Sequence, residues 1–261
     1  PGTSPAAGRS IGTGAGQVAI AASALAAATD GVWYLRLPGG GQAWAGRATA
    51  AGVVVERPVG PAPVAIATDG GLVFVAEGRP DGPLQPRSRC IEALDPVSLE
   101  VRRSVAVADV IVDLLVDGSQ VWILRADGVV ASYDGPSLRP LGETRTRGSG
   151  PGFLAAWGGA LWSLGADQAA GTTTVLTRIA RDTQAATIEV RFPGRFPAAL
   201  SRTDGRSGWV GLGERAGLGS VVPVDANGSP GAAIVIPVPS SLVVAAGDLW
   251  WTSHDGQVGR I

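Results

Sequence analysis

At 261 residues, with 45% hydrophobic and 16% charged residues, the chain has the apolar material for one large domain and is no disordered tail. A formal net charge of −1 supplies no global field toward nucleic acid or an anionic membrane, and no run of about 18 apolar residues could span a bilayer. Every basic residue is Arg, which excludes a P-loop lysine and Schiff-base chemistry, and a lone Cys90 excludes an internal disulfide and a cysteine zinc cluster.

Residues 1–15, rich in Gly, Pro, Ser and Ala, read as a flexible tether, and residues 16–261 as one folded domain. The absence of Met leads us to expect a piece of a longer protein, and Arg, Ala, Gly and Pro without Lys suggest a GC-rich source. From residue 24 onward one pattern recurs: an apolar stretch, an Asp-Gly or Gly-Gly turn, an apolar residue and an aromatic. The aromatics are Trp33, Phe74, Trp122, Trp162, Trp209 and Trp250, spaced 41, 48, 40, 47 and 41 residues apart. Six copies of about 43 residues fit the four strands of a propeller blade.

A second signal keeps the same phase. Alternating apolar stretches end at Asp95, Asp134, Asp182 and Asp225, each at the head of a turn. In the second repeat the strands fall at 64–68, 72–76, 90–94 and 101–107, lettered A to D. No stretch carries a capped helical period. The fold class is therefore all-β, a six-bladed β-propeller with four-stranded blades. The chain stops on a strand C, so residues 17–20 are expected to supply the last blade's outer strand and to close it.

The repeat resembles NHL- and YVTN-type propellers, over roughly residues 17–261. A tethered six-bladed propeller of this composition also resembles the extracytoplasmic sensor domains of actinobacterial serine/threonine kinases. That resemblance implies an extracytoplasmic ligand- or partner-binding module, joined to a membrane only by a segment outside this chain. A rival resemblance, to the virginiamycin B lyase type, implies a metal and a catalytic His at the channel mouth. A secreted protein-binding scaffold is a third reading.

In a propeller the D-to-A and B-to-C connections share one face, around the channel mouth. There the sequence places Arg36, Glu77, Arg79, Arg87, Arg89, Arg125, Asp127, Asp167, Glu214, Arg215, His254 and Asp255 as ligand- or partner-binding candidates. The insertion at 78–89 carries Pro80, Pro83 and Pro86 with three Arg residues, a stiff loop that presents guanidinium forks. Turn Asp residues make no calcium loop, and one His with one Cys makes a poor metal set, so no catalytic residue, metal or cofactor is expected. The partner is an unknown small polar ligand or a protein, not nucleic acid. Of the aromatics, the six in register are expected to pack between blades. Trp44, Trp157 and Trp251 fall off that register, and Trp157 is a candidate to line the channel bottom. Cys90 reads as a small buried hydrophobe.

Overall fold

The computed structural model describes the chain except at residues 1–8, 14–15, 21–23, 29–30, 38–41, 61, 79–88, 171, 202–204, 215–216, 246 and 254. It opens with a two-stranded pair, β1 (Arg9–Thr13) and β2 (Gly16–Ile20). Six antiparallel sheets follow, each ordered as the chain runs. The first comprises β3 (Ala24–Ala28), β4 (Gly31–Arg36), β5 (Ala43–Thr49) and β6 (Gly52–Val59). The second comprises β7 (Pro63–Thr68), β8 (Val73–Glu77), β9 (Cys90–Leu94) and β10 (Val101–Ala106). The third has β11 (Ile111–Asp117), β12 (Gln120–Arg125), β13 (Val129–Asp134) and β14 (Pro140–Arg145). The fourth has β15 (Ser149–Trp157), β16 (Ala160–Ala166), β17 (Thr173–Ala180) and β18 (Ala186–Pro193), with one 3₁₀ turn at Gln168–Ala170. The fifth has β19 (Phe196–Ser201), β20 (Ser207–Gly213), β21 (Leu218–Asp225) and β22 (Ile234–Pro237). The sixth has β23 (Pro239–Ala245), β24 (Asp248–Ser253) and β25 (Val258–Arg260). This succession is the fold of a six-bladed β-propeller.

The structure differs from the sequence expectation at the closing strand. Among the described residues the sixth sheet has three strands, and β2 pairs with β1, Ile20 opposite Arg9 and Gly16 opposite Thr13. Local pairing closes a very short loop at little entropic cost, whereas pairing with β25 would close nearly the whole chain. Residues 9–13, read as part of a tether, form that partner strand.

The chain forms two compact units, Pro1–Val121 with Tyr133–Pro140, and Trp122–Ser132 with Leu141–Ile261, so the boundary runs through the third sheet. In the first unit the alternation of β4 and β8 decides the core. Trp33 and Leu35 point to one side of the first sheet and meet Ile66, Val73, Val75 and Leu94 of the second. Phe74, on the opposite side of β8, is fully buried too. In the second unit Trp162, Leu164 and Phe192 of the fourth sheet pack with Val210, Leu212 and Val222 of the fifth. Trp209 packs with Leu242, Leu249 and Trp251 of the sixth. Of the in-register aromatics, Trp33, Trp162 and Trp209 thus serve packing between sheets, Phe74 and Trp122 are buried, and Trp250 is 40% exposed.

Trp157 is no channel lining. It is 1% exposed, stacks on Trp162 with ring centroids 4.5 Å apart, and donates its indole N–H to the Asp225 carbonyl at 3.3 Å. Strand B is buried on both faces, so an aromatic beside it at the end of strand A is drawn into the same core.

The C-to-D turns bind sheet to sheet. Asp95 accepts the Val97 and Ser98 N–H groups, and Asp134 accepts that of Ser137. Four residues after the turn Asp, or two in the fourth sheet, a non-glycine sits in the left-handed region: Leu99 (φ 57°), Leu138 (φ 53°) and Gln184 (φ 55°). Leu99 is fully buried in the core shared with the first sheet, and its carbonyl accepts Arg57 of β6 at 3.2 Å. Gln184 donates to Ser132 of β13 at 2.7 Å, and its carbonyl accepts the Thr144 hydroxyl of β14. In the fifth sheet the same task falls to Gly228 (φ 85°), where an added Cβ would stand 2.8 Å from Ile188 of β18. Backbone strain at these turns is held by contacts made on the preceding sheet.

Candidate functional site

Five of the candidate residues stand at or one residue beyond the end of strand B, three to five residues after the in-register aromatic of β4, β8, β12, β16 or β20. That position is charged in five sheets: Arg36, Glu77, Arg125, Asp167 and Glu214.

In the first unit, Arg36 donates two bonds to the Glu56 carboxylate of β6, at 2.9 and 2.8 Å, and its guanidinium lies 5.7 Å from the Trp44 ring centroid. Tyr34 donates to the same carboxylate at 3.1 Å; burial and that bond push its hydroxyl up to about 12. Arg89 lies 3.9 Å from Asp109 and donates to the Ala108 carbonyl at 3.4 Å. Glu77 is buried at 3% exposure.

In the second unit, Arg125 is 8% exposed and donates to Asp127 at 2.8 Å and to Glu143 of β14 at 3.0 Å. Arg145 approaches Asp127 at 3.5 Å. Burial works to raise the Asp127 carboxyl, but the Arg125 hydrogen bond, the Val129 N–H and the charges of Arg125 and Arg145 outweigh it and leave it below the ordinary value. Asp167, 6% exposed, accepts Arg191 of β18 at 3.1 Å, and Glu189 of the same strand meets Arg191 at 3.7 Å and Arg147 at 3.3 Å. Glu214 pairs at 3.0 Å with Arg195, which also donates to Ser220. Asp255 accepts the Ser253 hydroxyl and, at 2.8 Å, the Gln257 amide; the Ser253 bond leads in holding its carboxyl below the ordinary range. Arg79, Arg87, Arg215 and His254 lie outside the described residues.

Three of the twelve candidate residues do not face solvent. Glu77, Arg125 and Asp167 are buried, because the end of strand B lies inside its sheet, flanked by strands A and C. A charge there needs a partner. For Arg36, Arg125 and Asp167 the partner comes from strand D, two strands outward: Glu56, Glu143 and Arg191. These partners were missed in the sequence. Their signal is the Glu-x-Arg of β14 (Glu143, Arg145) and β18 (Glu189, Arg191), which puts both charges on one side of an outer strand.

Chemically, each described carboxylate of the set apart from Glu77 and Asp255 is met by Arg, which leaves little for a cation to bind. Among the described residues no group of three or more His, Cys, Asp or Glu side chains converges as a metal site would require. What faces solvent is the outer rank: Arg145 at 68%, Arg147 at 65% and Glu143 at 58% side-chain exposure. The opposite end of the sheets is chemically different. There Asp69, Asp134 and Asp225 bond N–H groups of their own turns, while Asp95 bonds its turn and also accepts Arg102 at 2.7 Å, and Asp248 meets Arg260 at 3.4 Å.

No protein-family model and no curated protein matches the sequence. Solved structures do. BamB from Moraxella catarrhalis is 15% identical over 94% of this chain and 85% of its own, at a TM-score of 0.56. The computationally designed Ika8 protein is 14% identical over 92% of this chain and 70% of its own, at 0.65. At such identities the likeness is one of fold, and this chain shares the fold of those two proteins across nearly its whole length.

Proposed function

We propose that the chain is a non-catalytic binding propeller that meets its ligand or partner at the end of the sheets carrying the B-to-C and D-to-A connections. The observation that carries this reading is the division of labour between the two ends. At one, B-to-C connections run from residues 126–128 in the third sheet to 78–89 in the second, and Arg-carboxylate pairs stand on them. At the other, the connections are short turns whose carboxylates bond their own N–H groups, with Arg102 on Asp95 and Arg260 on Asp248 as the ion pairs there. Exposed Arg forks such as Arg145 and Arg147 suit a polar or anionic partner, and rigid sheets under variable loops are a usual support for recognition.

A photo-crosslinking side chain placed in turn at positions 89, 145 and 147, with position 97 (Val97, 81% exposed) as the opposite-end control, tests this in the native host. Discrete adducts from the first three alone are expected. Adducts from position 97 alone would overturn the assignment of the binding end.

The finer reading is an extracytoplasmic sensor of a membrane-anchored serine/threonine kinase. It rests on the six-bladed fold together with the Gly/Pro/Ser/Ala composition of residues 1–15 and the kinase-sensor resemblance stated above. No helix among the described residues is long and apolar enough to cross a membrane. Reading the coding region ahead of Pro1 tests the proposal: a membrane span preceded by kinase motifs is expected, and a signal peptide alone would sink it.

A further inference from the structure

One buried carboxyl stands apart from the ion pairs. Glu77 ends β8 and its Oε1 has no hydrogen-bond partner. The carboxyl rests on Gly60, between β6 and β7, whose N–H donates to it. A Cβ on Gly60 would come within 1.9 Å of Oε2, so only glycine leaves the seat open. Glu77 stands opposite Cys90 in the β8–β9 register, and the Cys90 thiol points at Oε2 from 3.9 Å.

The Gly60 N–H and the Cys90 thiol favour the ionised form of Glu77, but burial and Glu92 outweigh them. From β9 come Cys90, whose thiol is pushed up to about 12 by burial and by the carboxylates, and Glu92, a second half-buried carboxyl on the same side of the strand. From β6 comes Arg57, but its charge acts on Glu92 and its N–H reaches the Leu99 carbonyl. Pro63 faces it from β7, and β10 brings Ser104, which bonds Cys90. Among the described residues no cation pairs with Glu77. Immediately beyond it, Gly78 donates to the Ala62 carbonyl at 3.1 Å, and a Cβ there would stand 2.9 Å from the Ile111 nitrogen.

We propose that Glu77 is a proton-operated clasp between the first and second sheets. Uncharged, its head stays on Gly60 and holds the β6–β7 connection against the end of β8. Ionised, it puts a charge with no cation partner among the described residues into a buried seat beside Glu92, which the Gly60 N–H and the Cys90 thiol offset only in part. The head then leaves or draws water in; either way the Gly60 and Gly78 contacts loosen. Burial first, then the like charge of Glu92, raise its proton affinity above that of an ordinary carboxyl. The sign follows: a raised carboxyl stabilises fully below its unfolded value of about 4.3, and that contribution fades as pH rises through the folded value.

Amide hydrogen exchange at Gly60 and Gly78, followed from about pH 5 to about pH 9 in the whole chain and in Glu77→Gln, tests the clasp. The wild-type rate divided by the variant rate at each pH removes the intrinsic base-catalysed change. This ratio is expected to climb by about tenfold or more as pH rises. In Glu92→Gln the climb should persist and start at lower pH, because a like charge is gone. A ratio flat in pH, or a climb that Glu92→Gln abolishes, overturns the proposal. Should Glu77→Gln fail to fold, infrared titration of the unsubstituted chain decides: a neutral carboxylic acid band must persist above the ordinary carboxyl range and vanish on raising pH, and its absence there overturns the clasp.

Discussion

Single residues carry most of what holds the sheets together, and their burial ranks them. Trp122 and Trp162 are 1% and 0% exposed, so truncation of either to Ala should cost about 3–5 kcal/mol, read as a lowered denaturation midpoint. Trp250, on the same register but 40% exposed, should cost less than half of that. Leu99 offers a subtler contrast. Its side chain is fully buried, yet its φ of 57° disfavours any side chain. Leu99→Ala should lose about 2–5 kcal/mol, while Leu99→Gly, normally the worse choice in a strand-rich chain, should be no less stable than the Ala variant because it relieves the backbone. A Gly variant clearly below the Ala variant in chemical denaturation would show that the left-handed strain is small. The aromatics were legible in the sequence because a large side chain repeats every 43 residues or so. The left-handed Leu99, Leu138 and Gln184 were not, since no glycine marks them and the contacts that hold them come from another sheet.

Within one sheet, the energetics turn on the latch between strands B and D. In the third sheet Arg125 holds Asp127 and Glu143 from a buried site, while Arg145 touches Asp127 from an exposed one. Arg125→Ala leaves two carboxylates without their main donor and should cost about 1–3 kcal/mol; Arg145→Ala should stay within about 0.5 kcal/mol. The pH dependence separates them further. A lowered Asp127 stabilises the fold above its unfolded value of about 3.9, and that contribution is lost as pH falls through the folded value. The acid limb of the stability profile should therefore flatten in Arg125→Ala and change little in Arg145→Ala. Equal acid limbs in all three proteins would remove the latch from the account of stability. Positions such as Arg36 and Arg125 could be placed in the sequence by counting from the aromatic. Their partners could not, because Glu56 and Glu143 lie 20 and 18 residues away on exposed strands whose pattern carries no apolar period.

At the scale of the molecule, the six-sheet succession was readable from the repeat and the closing strand was not, because pairing between distant ends has no local sequence signal, whereas β1 and β2 pair within 12 residues, from Arg9 to Ile20. The two compact units bear on how the chain unfolds. Their boundary passes through the third sheet, giving β11 to one unit and most of β12 to the other. A domain boundary that leaves a linker permits two independent transitions; one that severs a hydrogen-bonded sheet does not. Ile111, Leu115, Ile123 and Val130 of that sheet are all nearly inaccessible to solvent. Thermal unfolding should thus be a single cooperative event, with calorimetric and van't Hoff enthalpies agreeing, and the destabilisation caused by Leu99→Ala in the first unit should lower the midpoint reported by Trp157 and Trp162 fluorescence in the second. For a chain of this size each kcal/mol should move the midpoint by about 2–4 °C. Two separated calorimetric peaks, with Leu99→Ala shifting only one, would instead make the third sheet the weak seam of the molecule.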